Sequence, residues 1–415
     1  MFRSFIESIF SKGFSAIGNF VVVILTAQVL GAEGRGEVTL LLLTTAIVGL
    51  IQNIFGNSTI AYYALKISSN RLLLISFMWL LLTSITVPFI LNVFNLCIDK
   101  HLVYVIILSL ILGLISIFQG FLLGNEKIRA INVIDVLKSV IVLLVLLIQF
   151  YGFNSKTIEA VFFSFIFSYS ICLLVSFFFS FKLMGFSYQN DFKADFNEMF
   201  KTGFELQVNN LLQLINYRFT YYIISSYFGL AALGIVSVAV SIAEAIWIVC
   251  KSASVVLYAK LLNEEDAKIK FDLTINYTKI SYLLTFLLSI VLLLVPANWY
   301  QFLFGEDFGG LNELLFYYFP SILFLSFFTL LNHYFSAHNL NKVNIKATFL
   351  GNIIVVSLSV LIIPIYGINS SGLVLGIAYL SMSLFLLYRF RLLTNSKISS
   401  FFTNFKSIRS LLNNG

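Results

Sequence analysis

Twelve long apolar runs, parted by short polar breaks, leave this chain few ways to fold. They cover residues 14–30, 38–64, 72–94, 102–123, 131–150, 158–184, 203–228, 231–258, 274–296, 311–336, 345–366 and 372–388. A helix needs about 20 mostly apolar residues to cross the hydrocarbon core of a bilayer. Lipid gives the backbone no hydrogen-bonding partner, so only helices and closed barrels span it. The runs are continuously apolar rather than alternating, which argues against a barrel. Charged residues make up only 11% of the 415 positions, against roughly a quarter in a soluble domain. The expected class is an all-α polytopic membrane protein.

Lys and Arg in the loops set the orientation. With the N-terminus cytoplasmic, one face collects Lys12, Lys66, Arg71, Lys127, Arg129, Lys182, Lys193, Lys260, Lys342, Arg389, Lys397, Lys406, Arg409 and others of the same kind. The opposite face holds Arg35, Lys100 and Lys156. This asymmetry predicts an even number of spans and two cytoplasmic termini. It also explains the net charge of +7 without any nucleic-acid partner. Arg3 and Lys12 precede the first run, but no small-residue cleavage site follows, so an uncleaved first helix is expected. Cys97, Cys172 and Cys250 form neither a disulfide framework nor a C-x-x-C motif.

The stretch "LGAEGRGEVTLLL" falls between spans one and two. Its glycine spacing fits neither a dinucleotide fingerprint nor a P-loop. It reads as a tight, flexible outer turn carrying Arg35. The chain also echoes itself. "YGFNS" ends span five and "YGINS" ends span eleven, and Lys127-Ile128 matches Lys342-Val343 at the same offset. "LGAEGRGEVTL" is echoed by "FGLAALGIVSV", pairing Gly31 with Gly229 and Gly36 with Gly234. These echoes predict two parallel six-helix halves, residues 1–190 and 191–395, with a cytoplasmic C-terminal tail at 396–415. Transporters built from such repeats bind their substrates near the membrane midplane.

Polar stripes mark several spans. Span one carries Ser11, Ser15, Asn19, Val22 and Thr26; span two carries Thr45, Gly49, Gln52, Asn53, Gly56 and Asn57. Span seven carries Glu205, Asn209, Gln213, Asn216 and Thr220. Span eight carries Ser237, Ser241, Glu244 and Lys251, and span eleven carries Asn344, Thr348, Asn352 and Ser359. Such stripes seldom face lipid. Small and hydroxyl residues read as helix–helix glue, and the amides of spans one, two and seven as the lining of a water-filled cavity. Arg218, deep in span seven, lies nearly opposite the amide stripe and faces either another cavity wall or a structural partner. Glu244 and Lys251 share a helix face about 10 Å apart along the axis. Two readings of them stay open: a water-bridged lock, or an anion-binding Lys251 beside a proton-carrying Glu244. Asp135 and Lys138 read as a surface i,i+3 pair. His101, His333 and His338 form no ligand cluster, so no metal is expected. No catalytic triad or paired carboxylates share an outer loop, so an enzyme is not expected either. The longest outward loop, 297–310, offers Trp299 and Tyr300 as an interfacial anchor.

Three stretches together, "LGAEGRGEVTLLLLTTAIVGL", "YFGLAALGIVSVAVSIAEAI" and "LIIPIYGINSSGLVLGIAYL", resemble the polysaccharide transporters. These are the O-antigen (Wzx-type) and capsule flippases of the multidrug/oligosaccharidyl-lipid/polysaccharide (MOP) superfamily. The resemblance implies two six-helix bundles in a MATE-like V around a central cavity. It implies a bacterial inner-membrane flippase that moves undecaprenyl-pyrophosphate-linked oligosaccharide to the outer leaflet by alternating access. Partners would be that lipid-linked oligosaccharide, membrane lipid, and polysaccharide polymerase and chain-length proteins. Arg218 and Lys251, and Arg35 at the outer mouth, would meet pyrophosphate or acidic sugars, with Asn53, Asn209, Gln213 and Asn216 also lining the path. No cofactor is implied. Coupling to a proton or sodium gradient is left open, with Glu244 and Glu205 as the candidate proton carriers. The alternative within the superfamily is a cation-coupled drug antiporter. Where family members often carry an acid–arginine pair in span seven, this chain has Tyr217-Arg218, so the resemblance supplies no ionic partner for Arg218.

Overall fold

A computed structural model describes residues 2–94, 96–184 and 192–394, without the side chains of 2–10 and 192–194. The expected tail at 396–415, with Lys397, Lys406 and Arg409, lies outside the described residues, as do the side chains of Arg3 and Lys193. The helices are α1 (Phe2–Gln52), α2 (Asn57–Tyr63), α3 (Ser69–Val93), α4 (Leu102–Gly124), α5 (Ile128–Leu147), α6 (Ile158–Phe181), α7 (Phe192–Asn263), α8 (Ala267–Leu293), α9 (Ala297–Phe304), α10 (Leu311–Ala337), α11 (Asn341–Tyr366) and α12 (Ser370–Thr394).

Helices α1 and α7 contain 51 and 72 residues. Straight, they would run about 77 and 108 Å, far beyond the roughly 30 Å of a hydrocarbon core. Each bends once, at Gly31 (φ 70°, ψ −172°) and at Gly229 (φ 81°, ψ −176°). This is a backbone region essentially reserved for glycine. Among the described residues ten helices are long and apolar enough to cross a membrane, and the two bends raise the crossings to twelve. The chain is a multi-pass, all-α membrane protein.

The two bends share one geometry, as the repeat predicts. The expected flexible turn after Gly31 is absent, however: residues 32–52 are helical, and Arg35 and Glu37 are buried within that helix. A second correspondence joins the α4–α5 and α10–α11 connections. Glu126 and Asn339 both take φ 57°. The hydrogen bonds Glu126 N→Leu123 O and Lys127 N→Leu122 O reappear as Asn339 N→Ser336 O and Leu340 N→Phe335 O. Lys127 is therefore the counterpart of Leu340, not of Lys342 as the sequence echo suggests.

Contacts divide the chain into two compact units, Met1–Leu211 and Leu212–Gly415. The division falls inside α7. In the first unit α1 packs on α5, α4 on α6, and α2 on α4; in the second α10 packs on α12 and α12 on α11. Small residues permit these approaches: a Cβ on Gly372 would run into the backbone of Tyr317 and Tyr318. Many serines and threonines bond the carbonyl one turn back, among them Thr45, Ser164, Ser176 and Thr285, which satisfies their hydroxyls inside an apolar helix. The expected outer loop after Pro296 folds as α9, with Trp299 exposed and Tyr300 buried, its hydroxyl donating to Leu292 O at 2.8 Å.

Span two is not one helix to residue 64. Helix α1 ends at Gln52, a 3-10 turn covers Asn53–Phe55, and α2 restarts after Gly56. A broken helix at membrane depth is tolerated only where protein or a cavity covers its freed backbone groups. Here Gln207 donates to Asn53 O at 3.3 Å and Ser116 accepts from Asn57 N at 3.1 Å. The start of α7 presses against the break at Gly203, where any Cβ would collide with Ile54 O.

Candidate functional site

In the second unit the bend at Gly229 brings the two arms of α7 together. Arg218 Nη2 donates to Glu244 Oε1 at 2.7 Å, and Nη1 to the Tyr221 hydroxyl at 3.2 Å. Glu244 is thus the partner of Arg218. Lys251 Nζ lies 5.1 Å from the centroid of Trp247. Beside Glu244 sits a cavity of about 40 Å³ walled by Tyr217, Trp247, Tyr318 and Tyr379. A water needs about 10–15 Å³ of such space, so this cavity takes water or a small ion and not a sugar.

Other expected site residues of this unit separate. Asn216 is buried and donates to Thr348 O at 3.1 Å and to the Asn352 side chain, tying α7 to α11. Gln213 is exposed. In the first unit Glu205 and Asn209 are exposed as well. Arg35 is buried and donates to Thr26 Oγ1 at 3.1 Å. Glu37 accepts from His101 at 2.6 Å and from Lys100 at 2.9 Å. This ionic cluster pins the α3–α4 connection to α1. Sequence reading had given His101 no partner, because the two residues are far apart in the chain and neither belongs to a periodic stripe. In the same connection, burial beside Asp99 pushes the Cys97 thiol up to about 11, which keeps it protonated and unreactive.

Two larger spaces lie in the first unit. One cavity of about 340 Å³ is lined by Asn53, Asn57, Gln119, Lys138, Gln207 and Asn210. Another, of about 330 Å³, is lined by Lys12, Ser15, Asn19, Asp135, Lys138 and Ser139, with Val22, Val142 and Phe165 as an apolar wall. Both fall in the range of ligand pockets, about 300–1,000 Å³. Lys138 belongs to both linings. It donates to Asp135 Oδ1 at 3.2 Å, and the same oxygen accepts from Gln119 at 3.1 Å. The expected i,i+3 pair is formed, and its lysine lines both cavities. Gln119, Gln207 and Asn210 were missed. The first is a lone amide in an apolar span. The other two stand at i and i+3, out of register with the Glu205 and Asn209 positions that the stripe had favoured.

No protein-family model matches the chain, and no curated protein matches it. Solved structures do. The lipid II flippase MurJ, in an inward closed conformation, superposes with a TM-score of 0.74 at 14% identity, covering 97% of this chain and 89% of that one. An inward-facing multidrug resistance MATE family transporter of the MOP superfamily gives 0.66 at 13% identity, over 92% and 96% of the two chains. The MATE transporter VcmN of Vibrio cholerae, in its bent form, gives 0.55 at 12% identity, over 94% and 95%. The chain has the fold of these transporters. The likeness runs through both units.

Proposed function

We propose that the chain is a flippase for lipid-linked oligosaccharide. It carries undecaprenyl-pyrophosphate-linked repeat units of the O-antigen or capsule type from the inner to the outer leaflet of the bacterial cytoplasmic membrane, by alternating access, with both termini cytoplasmic. The observation that carries this reading is the fold shared with a lipid II flippase at a TM-score of 0.74 over 97% of the chain. The spacious polar cavities around an intramembrane lysine support it, since they offer room and hydrogen-bonding groups for a large headgroup. Arg218, Lys251 and Arg35, with Asn53, Asn209, Gln213 and Asn216, are the binding residues proposed from the sequence; polymerase and chain-length proteins are the proposed partners downstream.

A second reading, a cation-coupled drug antiporter, is favoured by the small aromatic cavity around Glu244 and by the MATE transporters that share the fold. Its weakness is that Arg218 already neutralises Glu244. In either reading Glu244 or Glu205 would carry the coupling proton. The deciding experiment deletes the gene in its host and measures which leaflet holds the lipid-linked oligosaccharide. Accumulation in the inner leaflet, relieved by the intact gene but not by Arg218→Ala or Lys251→Ala at equal membrane levels, is the expected result. No accumulation, with new sensitivity to cationic drugs, would move the assignment to the antiporter. If Glu244 carries protons, Glu244→Gln removes any dependence of transport on a pH gradient.

A further inference from the structure

The two cavities of the first unit meet at Lys138, yet their linings differ in kind. Half of the first lining is amide: Asn53, Asn57, Gln119, Gln207 and Asn210. Each amide offers both donors and acceptors, a lining suited to a neutral ligand whose groups are also both, namely hydroxyls. The amides are held in place rather than loose. Asn210 donates to Gln207 Oε1 at 3.0 Å, and Gln207 to Asn53 O at 3.3 Å. Asn57 Oδ1 is buried and accepts no hydrogen bond from the protein, which leaves an acceptor for a ligand hydroxyl.

The second cavity has an excess of positive charge. Lys12 and Lys138 face it with one carboxylate, Asp135, and with the hydroxyls of Ser15 and Ser139. That carboxylate is anchored by the Gln119 amide, and its main-chain oxygen accepts from Ser15 Oγ at 3.2 Å. Lys138 spends one of three ammonium donors on Asp135. Two lysines with hydroxyls beside them suit an oxyanion, and lysine binds phosphate as a compact point charge. The remaining wall, Val22, Val142 and Phe165, is apolar and suits a hydrocarbon chain.

We propose that the first unit holds a bipartite site for a phosphorylated, hydroxyl-rich headgroup, with phosphate oxygens at Lys12 and Lys138 and sugar hydroxyls among the amides of Asn53, Asn57, Gln119, Gln207 and Asn210. The proposal deepens the flippase reading and rests on it for the lipid attached to that phosphate. It places headgroup recognition in the first unit, which includes the start of α7 with Gln207 and Asn210, and adds Lys12 and Lys138 to the binding residues proposed from the sequence.

The test uses the full chain in phosphatidylcholine nanodiscs, titrated with inorganic pyrophosphate and with glucose 1-phosphate. A second set of discs contains undecaprenyl pyrophosphate. Lys138→Gln is expected to weaken pyrophosphate binding by about tenfold or more, the effect of losing a charge-assisted contact, and Lys138→Arg to keep it, which separates lost charge from lost folding. Asn57→Ala with Gln207→Ala is expected to weaken glucose 1-phosphate and leave pyrophosphate unchanged. Competition by the lipid-borne probe at far lower concentration than free pyrophosphate identifies a lipid headgroup as the ligand; equal potency identifies a soluble phosphate. Pyrophosphate affinity that survives Lys12→Gln and Lys138→Gln together overturns the phosphate half. Equal effects of the amide pair on both probes overturn the sugar half. A chain that still flips lipid-linked oligosaccharide with both lysines replaced keeps the flippase reading and removes the site. The binding pattern in a chain that flips nothing does the reverse.

Discussion

Six residues beyond its bend, α1 carries Glu37; six residues beyond the matching bend, α7 carries Ile235. Four residues beyond, the pair is Arg35 and Leu233. The backbone geometry at Gly31 and Gly229 is nearly identical, so the two segments enter their units in the same way. What they bury differs completely. In the first unit Arg35 bonds Thr26, and Glu37 holds His101 and Lys100. In the second, Leu233 is fully buried. A duplicated fold thus keeps the bend, which only glycine makes cheaply, while the side chains after it change from ionic to aliphatic. Charge has been lost from one copy or gained by the other without moving the helix.

The largest effect is expected at Glu37. Its carboxylate is the partner of a buried imidazole, His101, whose other ring nitrogen has no acceptor. Glu37→Ala strands that ring, at a cost of about 3 kcal/mol. Glu37→Gln keeps one hydrogen bond and is expected to lose about 1 kcal/mol. Ile235→Ala, the same position in the other unit, removes packing contacts only and should cost about 1 kcal/mol. Unfolding in detergent micelles measures all three. Equal losses for Glu37→Ala and Ile235→Ala would mean that the ionic cluster adds nothing to what aliphatic packing supplies.

Next in size are the bends themselves. Gly229 has open space where a Cβ would go, so Gly229→Ala tests the backbone alone. At φ 81° and ψ −176° an alanine is strained by about 1–3 kcal/mol, and Gly31→Ala should show a loss of the same order. Thermal unfolding of the two variants side by side checks the equivalence. A loss at one bend and none at the other would break the comparison at its root.

The bends also show how far the sequence could be read. The span count and the pairing of Gly31 with Gly229 were legible, because hydrophobic length and glycine spacing are local signals. The state of the stretch after Gly31 was not. Glycines and charges in a row look like a turn, while contacts to Thr26, His101 and Lys100 help to hold that row buried. The break at Asn53–Gly56 hid for a similar reason: its cost is met by Gln207 and Ser116, residues remote in sequence. Stripes at helical spacing located Ser15, Asn19, Asn53 and Asn57 along cavities, since periodicity reports a face. They misplaced Glu244, because a helical wheel sees neighbours on one arm and not a partner across a bend. Lys138 was passed over because an i,i+3 acid made it look settled.

A double-mutant cycle on Arg218 and Glu244 compares the ion pair of the second unit with the cluster of the first. Both side chains are partly exposed, at 28% and 39%, and solvent screens such pairs. The coupling is expected to be about 1 kcal/mol, well below the loss at Glu37. Full salt insensitivity with a coupling as large as the Glu37 loss would show the pair to be as dry as the first unit's cluster.

The smallest effect is expected at Lys251. In the first unit Lys138 is fixed by a carboxylate and an amide network; in the second Lys251 rests over the Trp247 ring. A cation over an indole face at an exposed site is worth about 0.5–1 kcal/mol, so Lys251→Gln should lower stability by no more than that, and Trp247→Leu should remove the difference between lysine and glutamine at 251. Transport separates the two lysines further. If Lys251 touches substrate, Lys251→Gln lowers transport far beyond its small stability loss, and the binding path runs through both units. If transport follows stability alone, Lys251 is packing, and the intramembrane charge that matters lies with Lys138. Stability and transport measured on one preparation of Lys251→Gln decide between these.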